Sequence, residues 1–160
     1  MCRPKWDQYF MDIAKVVMTR STCIRRQVGA VIVNDKRILT TGYNGAPTNI
    51  DHCTSLKKCL REELKIPSGE RHELCKAIHG EQNAIIQAAY SGVSLKGSTL
   101  YVTCMPCSIC SKMIINSGIS TVIYEGDYND PSSVKMMRDA GLKVIKLKDK
   151  IRDIPNYPDS

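Results

Sequence analysis

The sequence predicts an α/β protein in three layers, α/β/α, built on a mixed sheet of five strands with an opening antiparallel hairpin. Three observations carry that expectation. Short stretches with apolar residues at every second position, or unbroken apolar runs, alternate along the chain with longer stretches repeating every three or four. The later strand candidates are separated by helix candidates, which implies parallel crossovers. The first two are separated only by a turn at Asn34-Asp35, which implies a hairpin.

Residues 5–20 carry Trp6, Tyr9, Phe10, Ile13, Val16 and Val17 at helical spacing, an amphipathic helix expected to pack on the sheet. Residues 28–33 and 38–43 are the hairpin strands. The chain then breaks at Gly42-Tyr43-Asn44-Gly45-Ala46-Pro47, where two glycines let backbone approach a ligand. Residues 48–76 follow no clear period: a short helix is expected over 56–64 and a break at Pro67-Ser68-Gly69, as in a functional insertion or a metal-tied loop. A helix is expected from Gly80 to about Ser91-Gly92, a strand over 99–103, and a helix to Asn116 stopped by Gly118. A strand over 121–124, a helix over 132–140 and a strand over 143–147 complete the order, in one domain of 160 residues.

Composition narrows the function. Lysine and arginine exceed the acids by seven, which suits a protein handling phosphorylated ligands or nucleic acid. The dense basic spots are Arg25-Arg26, Lys57-Lys58 and the tail from Lys143 to Lys150, without interleaved aromatics, so a small anion is favoured over a nucleic-acid polymer. The first residues form no apolar signal, and no run approaches the roughly 18 apolar residues of a membrane span. A cytoplasmic location without membrane attachment is therefore expected. In a reducing compartment the eight cysteines point to metal binding.

His79-Gly80-Glu81 is followed 25 residues later by Pro106-Cys107-Ser108-Ile109-Cys110. One imidazole and two thiolates can hold a tetrahedral zinc with its fourth position open, as catalytic rather than structural sites do. The apolar run from Ala84 to Ala89 starts a helix near Gly80, and Pro106 favours a helix start beside Cys107, so two helix N-termini would converge on the metal and favour thiolates. Alone, Cys-x-x-Cys also suits a zinc knuckle or a redox pair, and His-x-Glu a solvated helix edge. Together, H-x-E and P-C-x-x-C are the signature of zinc-dependent nucleobase deaminases. His79, Cys107 and Cys110 are the expected ligands and Glu81 the catalytic proton carrier.

Beyond this signature, residues 25–33, 42–47 and 81–85 resemble segments of the cytidine deaminase superfamily and, within it, of the deoxycytidylate deaminases. The resemblance covers roughly residues 4–148 and implies that family's fold. It implies zinc-dependent hydrolysis of dCMP to dUMP and ammonia, feeding dTMP synthesis, with activation by dCTP and magnesium and inhibition by dTTP. It further implies a homo-oligomer, a hexamer in similar enzymes. Gly80 stands where the family usually has alanine and keeps the backbone N–H, so it is expected among the substrate-binding residues. By resemblance Asn44 contacts the deoxyribose and a basic residue, taken as Arg26, meets the 5′-phosphate. Arg26 also suits a plain surface charge. Tyr128 is expected to flank the base or else to pack in the core, and Gly42, Tyr43, Asn44 and Gly45 to border an effector.

Cys23, Cys53, Cys59, His72 and Cys75 remain. They suggest a second, structural zinc held by Cys23, Cys53, His72 and Cys75, with Cys59 as substitute, or else free thiols. Cys104 is expected to pack near the site. The rival readings are another deaminase of the fold, acting on tRNA adenosine, guanine or a riboflavin precursor, and a non-catalytic zinc module that binds nucleic acid.

Overall fold

The computed structural model describes residues 3–147, so the end of the basic tail, Lys148 to Lys150, lies outside the described residues. Helix α1 (Trp6–Met18) leads into β1 (Gly29–Asn34) and β2 (Arg37–Tyr43), an antiparallel hairpin. Its turn is centred on Asp35 and Lys36, both at positive φ, as a two-residue turn matching the strand twist requires. The turn therefore sits one residue later than Asn34-Asp35 suggests.

The irregular stretch holds two short helices, α2 (Cys53–Leu56) and α3 (Leu60–Glu63), in place of one helix over 56–64. Lys57 between them has a φ of 51°, a left-handed conformation that a helix cannot continue through. After a 3-10 turn at His72–Leu74 come α4 (Gly80–Ser91), β3 (Thr99–Cys104), α5 (Ser108–Asn116), β4 (Thr121–Gly126), α6 (Pro131–Asp139) and β5 (Lys143–Lys146).

The strands lie in the order β2-β1-β3-β4-β5. β1 is antiparallel to both neighbours, and β3, β4 and β5 run parallel. The mixed five-stranded sheet and the parallel crossovers are thus as the sequence predicts. Alternate residues of the central strands enter two cores. Ala30, Ile32, Leu100, Val102 and Val122 pack under α4, α5 and α6. Val31, Val33, Tyr101 and Ile123 pack under α1.

On α1 the buried stripe is Phe10, Met11 and Ala14, while Trp6, Tyr9 and Val16 stay exposed. Trp6 instead stacks on Phe10 at the rim, with ring centroids 5.6 Å apart. Among the described residues no helix is long and apolar enough to cross a membrane.

Gly42 sets the distance between β2 and α4. A β-carbon there would stand 2.2 Å from the carbonyl oxygen of Gly80 and 2.4 Å from the nitrogen of Ala84. With no side chain at Gly42, the first turn of α4 rests directly on the strand. The ends of β3 and β4 open toward the same edge of the sheet, where loops of a parallel sheet gather functional side chains.

Candidate metal centre and active-site cavity

His79 is the residue before α4, extended at φ −69° and ψ 155°. Its backbone N–H donates to Gln82 Oε1 at 3.0 Å, which closes the helix start and puts Glu81 in the first turn. Cys107 occupies the same position before α5, and its sulfur accepts the Cys110 backbone N–H at 3.5 Å. Asp130, from the loop after β4, accepts the Ser108 N–H at 2.7 Å and fixes that helix start from outside. Partial burial pushes the Asp130 carboxyl up, but the Ser132 hydroxyl, donated at 2.6 Å, and the Ser108 N–H hold it below the usual carboxylate range.

Two helix N-termini meet as expected. His79 Nδ1 lies 3.3 Å from Cys110 Sγ and 3.6 Å from Cys107 Sγ, and the three ligand atoms all fall within 4.8 Å of one another. Zinc bonds of about 2.3 Å to sulfur and about 2.0 Å to nitrogen make a tetrahedron with an N–S edge of about 3.5 Å. The observed separations fit that edge.

The protonation balance also calls for a cation. The Cys110 thiol donating to Cys107, helped by His79, holds Cys107 down at about 4 despite burial, while the same bond and burial push Cys110 well up. The pair shares one proton between two sulfurs, and a dication in its place would let both be thiolates. Glu81 is 4 % exposed, and burial pushes its carboxyl above the usual range. It can therefore hold a proton as well as take one.

Asn44 is buried and committed at both ends: its Oδ1 accepts the Gly80 N–H at 2.7 Å and its Nδ2 donates to the Arg26 carbonyl at 3.0 Å. The Gly80 N–H that the sequence reading offered to substrate is thus engaged by Asn44. Gly45 and Ile78 exchange backbone bonds at 3.1 and 2.9 Å, and Asn83 donates to the Tyr43 carbonyl at 2.8 Å. Gly42, Tyr43, Asn44 and Gly45, the expected effector border, lie against the start of α4. Gly42, Asn44 and Gly45 are buried and the loop is bonded to the start of α4, so it presents little free backbone to a nucleotide.

These elements enclose a cavity of about 290 Å³ whose wall includes Glu81, His79, Cys107, Asn44 and Tyr128. Arg26 is exposed, with its guanidinium carbon 4.7 Å above the Tyr128 ring centre and its Nη1 donating to Cys104 at 3.4 Å. Cys104 is half-buried beside the site, as expected.

Among the described residues the Nδ1 of His72, expected beside the cysteines, is buried and has no hydrogen-bond partner. Its ring stands edge-on to His79 at 5.1 Å, and Nε2 faces the Gly69 carbonyl at 3.1 Å and the Tyr128 hydroxyl at 3.4 Å. Burial, then the neighbouring His79, pulls it below the usual histidine range. The Cys53 thiol is pushed up by burial and then by the charges of Cys23, Cys59 and Cys75. Among the described residues these four sulfurs do not meet the mutual distance of 4.8 Å that the His79 group meets.

The sequence reading passed over Arg61, Arg25 as a site residue, and Asp130. Arg61 lies in the aperiodic stretch, where spacing carries no signal. Arg25 stands beside the arginine that was named. Asp130 directly precedes Pro131, which opens α6, and that position was the one sign available.

A family described as the cytidine and deoxycytidylate deaminase zinc-binding region matches residues 4–125. The chain is 38% identical over 147 residues to the deoxycytidylate deaminase of Saccharomyces cerevisiae, covering 90% of this chain but 45% of that protein. It is 42% identical over 128 residues to the deoxycytidylate deaminase of Mycobacterium phage D29, covering 78% and 97% respectively. The chain thus spans under half of the yeast protein and nearly all of the phage one. Among solved structures, the dCMP deaminase from the cyanophage S-TIM5 in complex with dCMP and dUMP matches with a TM-score of 0.74 at 29% identity. That match covers 92% of this chain and 100% of the phage chain.

Proposed function

Because the chain belongs to the cytidine and deoxycytidylate deaminase family, we propose that it hydrolyses dCMP to dUMP and ammonia and so feeds dTMP synthesis. The observation that carries the reading is the convergence of His79, Cys107 and Cys110 beside the buried carboxyl of Glu81 at the wall of one cavity. His79, Cys107 and Cys110 would hold zinc, which when bound supplies a Lewis acid that makes water nucleophilic near neutral pH.

The chain's own residues handle position and protons. Glu81 takes a proton from the attacking water and passes it to ring N3, then takes the remaining proton of the hydroxyl added at C4 and delivers it to the amine leaving C4. Its burial suits both duties, because a carboxyl with a raised pKa gives a proton back more readily. Asn44 holds the Gly80 N–H and thereby the helix turn carrying Glu81, and the second hydrogen of its Nδ2, beyond the one given to the Arg26 carbonyl, is left for the sugar. Tyr128 offers an aromatic wall to the base. The phosphate falls to the basic side of the cavity, where arginines line it.

The same proposal includes a second, structural zinc, now with Cys23, Cys53, Cys59 and Cys75 as ligands. The nearness of Cys23, Cys59 and Cys75 to Cys53, felt in the raised Cys53 thiol, supports it, as does the Arg26 N–H donated to Cys23 at 3.4 Å. The sequence resemblance supports activation by dCTP with magnesium, inhibition by dTTP, and a homo-oligomer. The reduced thiols that both metal sites need support a cytoplasmic location.

The test is ammonia release by the zinc-loaded protein from dCMP, deoxycytidine, dCTP and tRNA, with and without the two effectors. Turnover of dCMP above the others is expected. A fully metallated protein that leaves dCMP intact rejects the reading.

A further inference from the structure

Three arginines and one carboxylate line the cavity, and the carboxylate, Glu81, lies at the metal ligands. Arg61 is 7% exposed, yet among the described residues no carboxylate lies within ion-pair distance of Arg61 or Arg25. A buried cation without a counter-charge is costly, and two in one cavity cost more. Both are nevertheless held in place. Arg25 Nη2 donates to the Ile66 carbonyl at 2.6 Å, and Arg61 Nη2 donates to the carbonyls of Pro67 and Glu70 at 3.2 and 2.5 Å.

All three acceptors are neutral and belong to the single turn 66–70. Each guanidinium is left with a donor that is shut from solvent and has no partner, Arg25 Nη1 and Arg61 Nε. In native proteins such groups are rare and ask for a missing acceptor. Arg26 differs in that its guanidinium is exposed and occupied by Tyr128 and Cys104.

We infer that Arg25 and Arg61, mounted on the turn 66–70, form the clamp that receives the 5′-monophosphate of the nucleotide. The inference rests on the nucleotide reading of the cavity proposed above. A phosphate dianion supplies the two missing charges together, and planar guanidiniums match its oxygens in paired hydrogen bonds. Arg25 and Arg61 line the same cavity as His79 and Cys107, so the clamp faces the space beside the metal group. Arg25 follows Cys23 by two residues and Arg61 follows Cys59 by two, which seats both on the cysteine cluster.

Calorimetry with Glu81→Gln protein reads binding while dCMP stays intact. In that background Arg61→Gln and Arg25→Gln are each expected to weaken dCMP by roughly tenfold or more, the loss of one charged hydrogen-bonded contact. Deoxycytidine affinity should hold, and the exposed Lys58→Gln should change neither. Arg61→Lys, which keeps the charge, should recover part of the loss, and zinc content with circular dichroism checks that each variant is folded. Equal weakening of dCMP and deoxycytidine, or undiminished dCMP binding in the Arg25 variant, overturns the clamp. If the unsubstituted protein releases no ammonia from dCMP, the catalytic reading fails, while binding of dUMP by the same variants still decides the clamp.

Discussion

The side-chain oxygen of Asn44 accepts the backbone N–H of Gly80 at 2.7 Å, tying the loop after β2 to the helix turn that carries Glu81. Asn44→Ala leaves the Gly80 donor and the Arg26 carbonyl without their buried partner. The expected cost is about 1–3 kcal/mol of stability, read by urea unfolding, together with lower kcat/KM. An unchanged urea midpoint would show that the bond contributes nothing to holding the turn.

Glu81→Gln keeps the shape of the side chain and removes the proton carrier. Metal analysis should find zinc retained, while ammonia release from dCMP falls by roughly 10²–10⁴-fold. Normal turnover would remove Glu81 from the mechanism.

Gly42→Ala tests whether that glycine serves packing rather than an effector. With a β-carbon 2.2 Å from the Gly80 oxygen, β2 and α4 must part, and a loss of at least about 1–3 kcal/mol is expected in thermal unfolding. Gly97→Ala is the comparison: nothing lies within 4 Å there, and only its φ of +76° is strained. Equal losses for the two would contradict the packing role.

Metal analysis should find two zinc ions per chain. Cys53→Ser and Cys59→Ser should each leave one and lower the thermal midpoint, whereas His72→Ala should leave both. One zinc in the unsubstituted protein, or loss of the second through His72→Ala, rejects the four-cysteine assignment.

Tyr101 donates its hydroxyl to Asp7 at 2.8 Å, and burial with that acceptor pushes the phenol well up. The unfolded phenol titrates near about 10, so this contribution is intact below that pH and is lost as pH rises toward the folded value. Tyr101→Phe should cost about 1 kcal/mol near neutral pH and make stability less sensitive to alkali. Unfolding midpoints at about pH 7 and about pH 11 compare the two proteins.

Much of the site could be read from the chain because its geometry is local. His79 and Glu81 share one helix start, and Cys107 and Cys110 lie one turn apart, so spacing alone aims them. The hairpin and the crossover helices were legible for a similar reason, since period and turn residues act over a few neighbours. On α1 the same logic overreached: Trp6 and Tyr9 have helical spacing, but the sheet is broad enough to bury only Phe10, Met11 and Ala14 fully.

From residue order alone came the α/β architecture, the metal triad and its carboxylate, because each depends on contacts within a turn or on the alternation of elements. Only the folded chain decided that His72 faces His79 and that Arg25 and Arg61 share one turn. Those relationships arise between positions up to about 50 residues apart in a stretch without period, where packing across the end of the sheet sets the neighbours and spacing carries no such information.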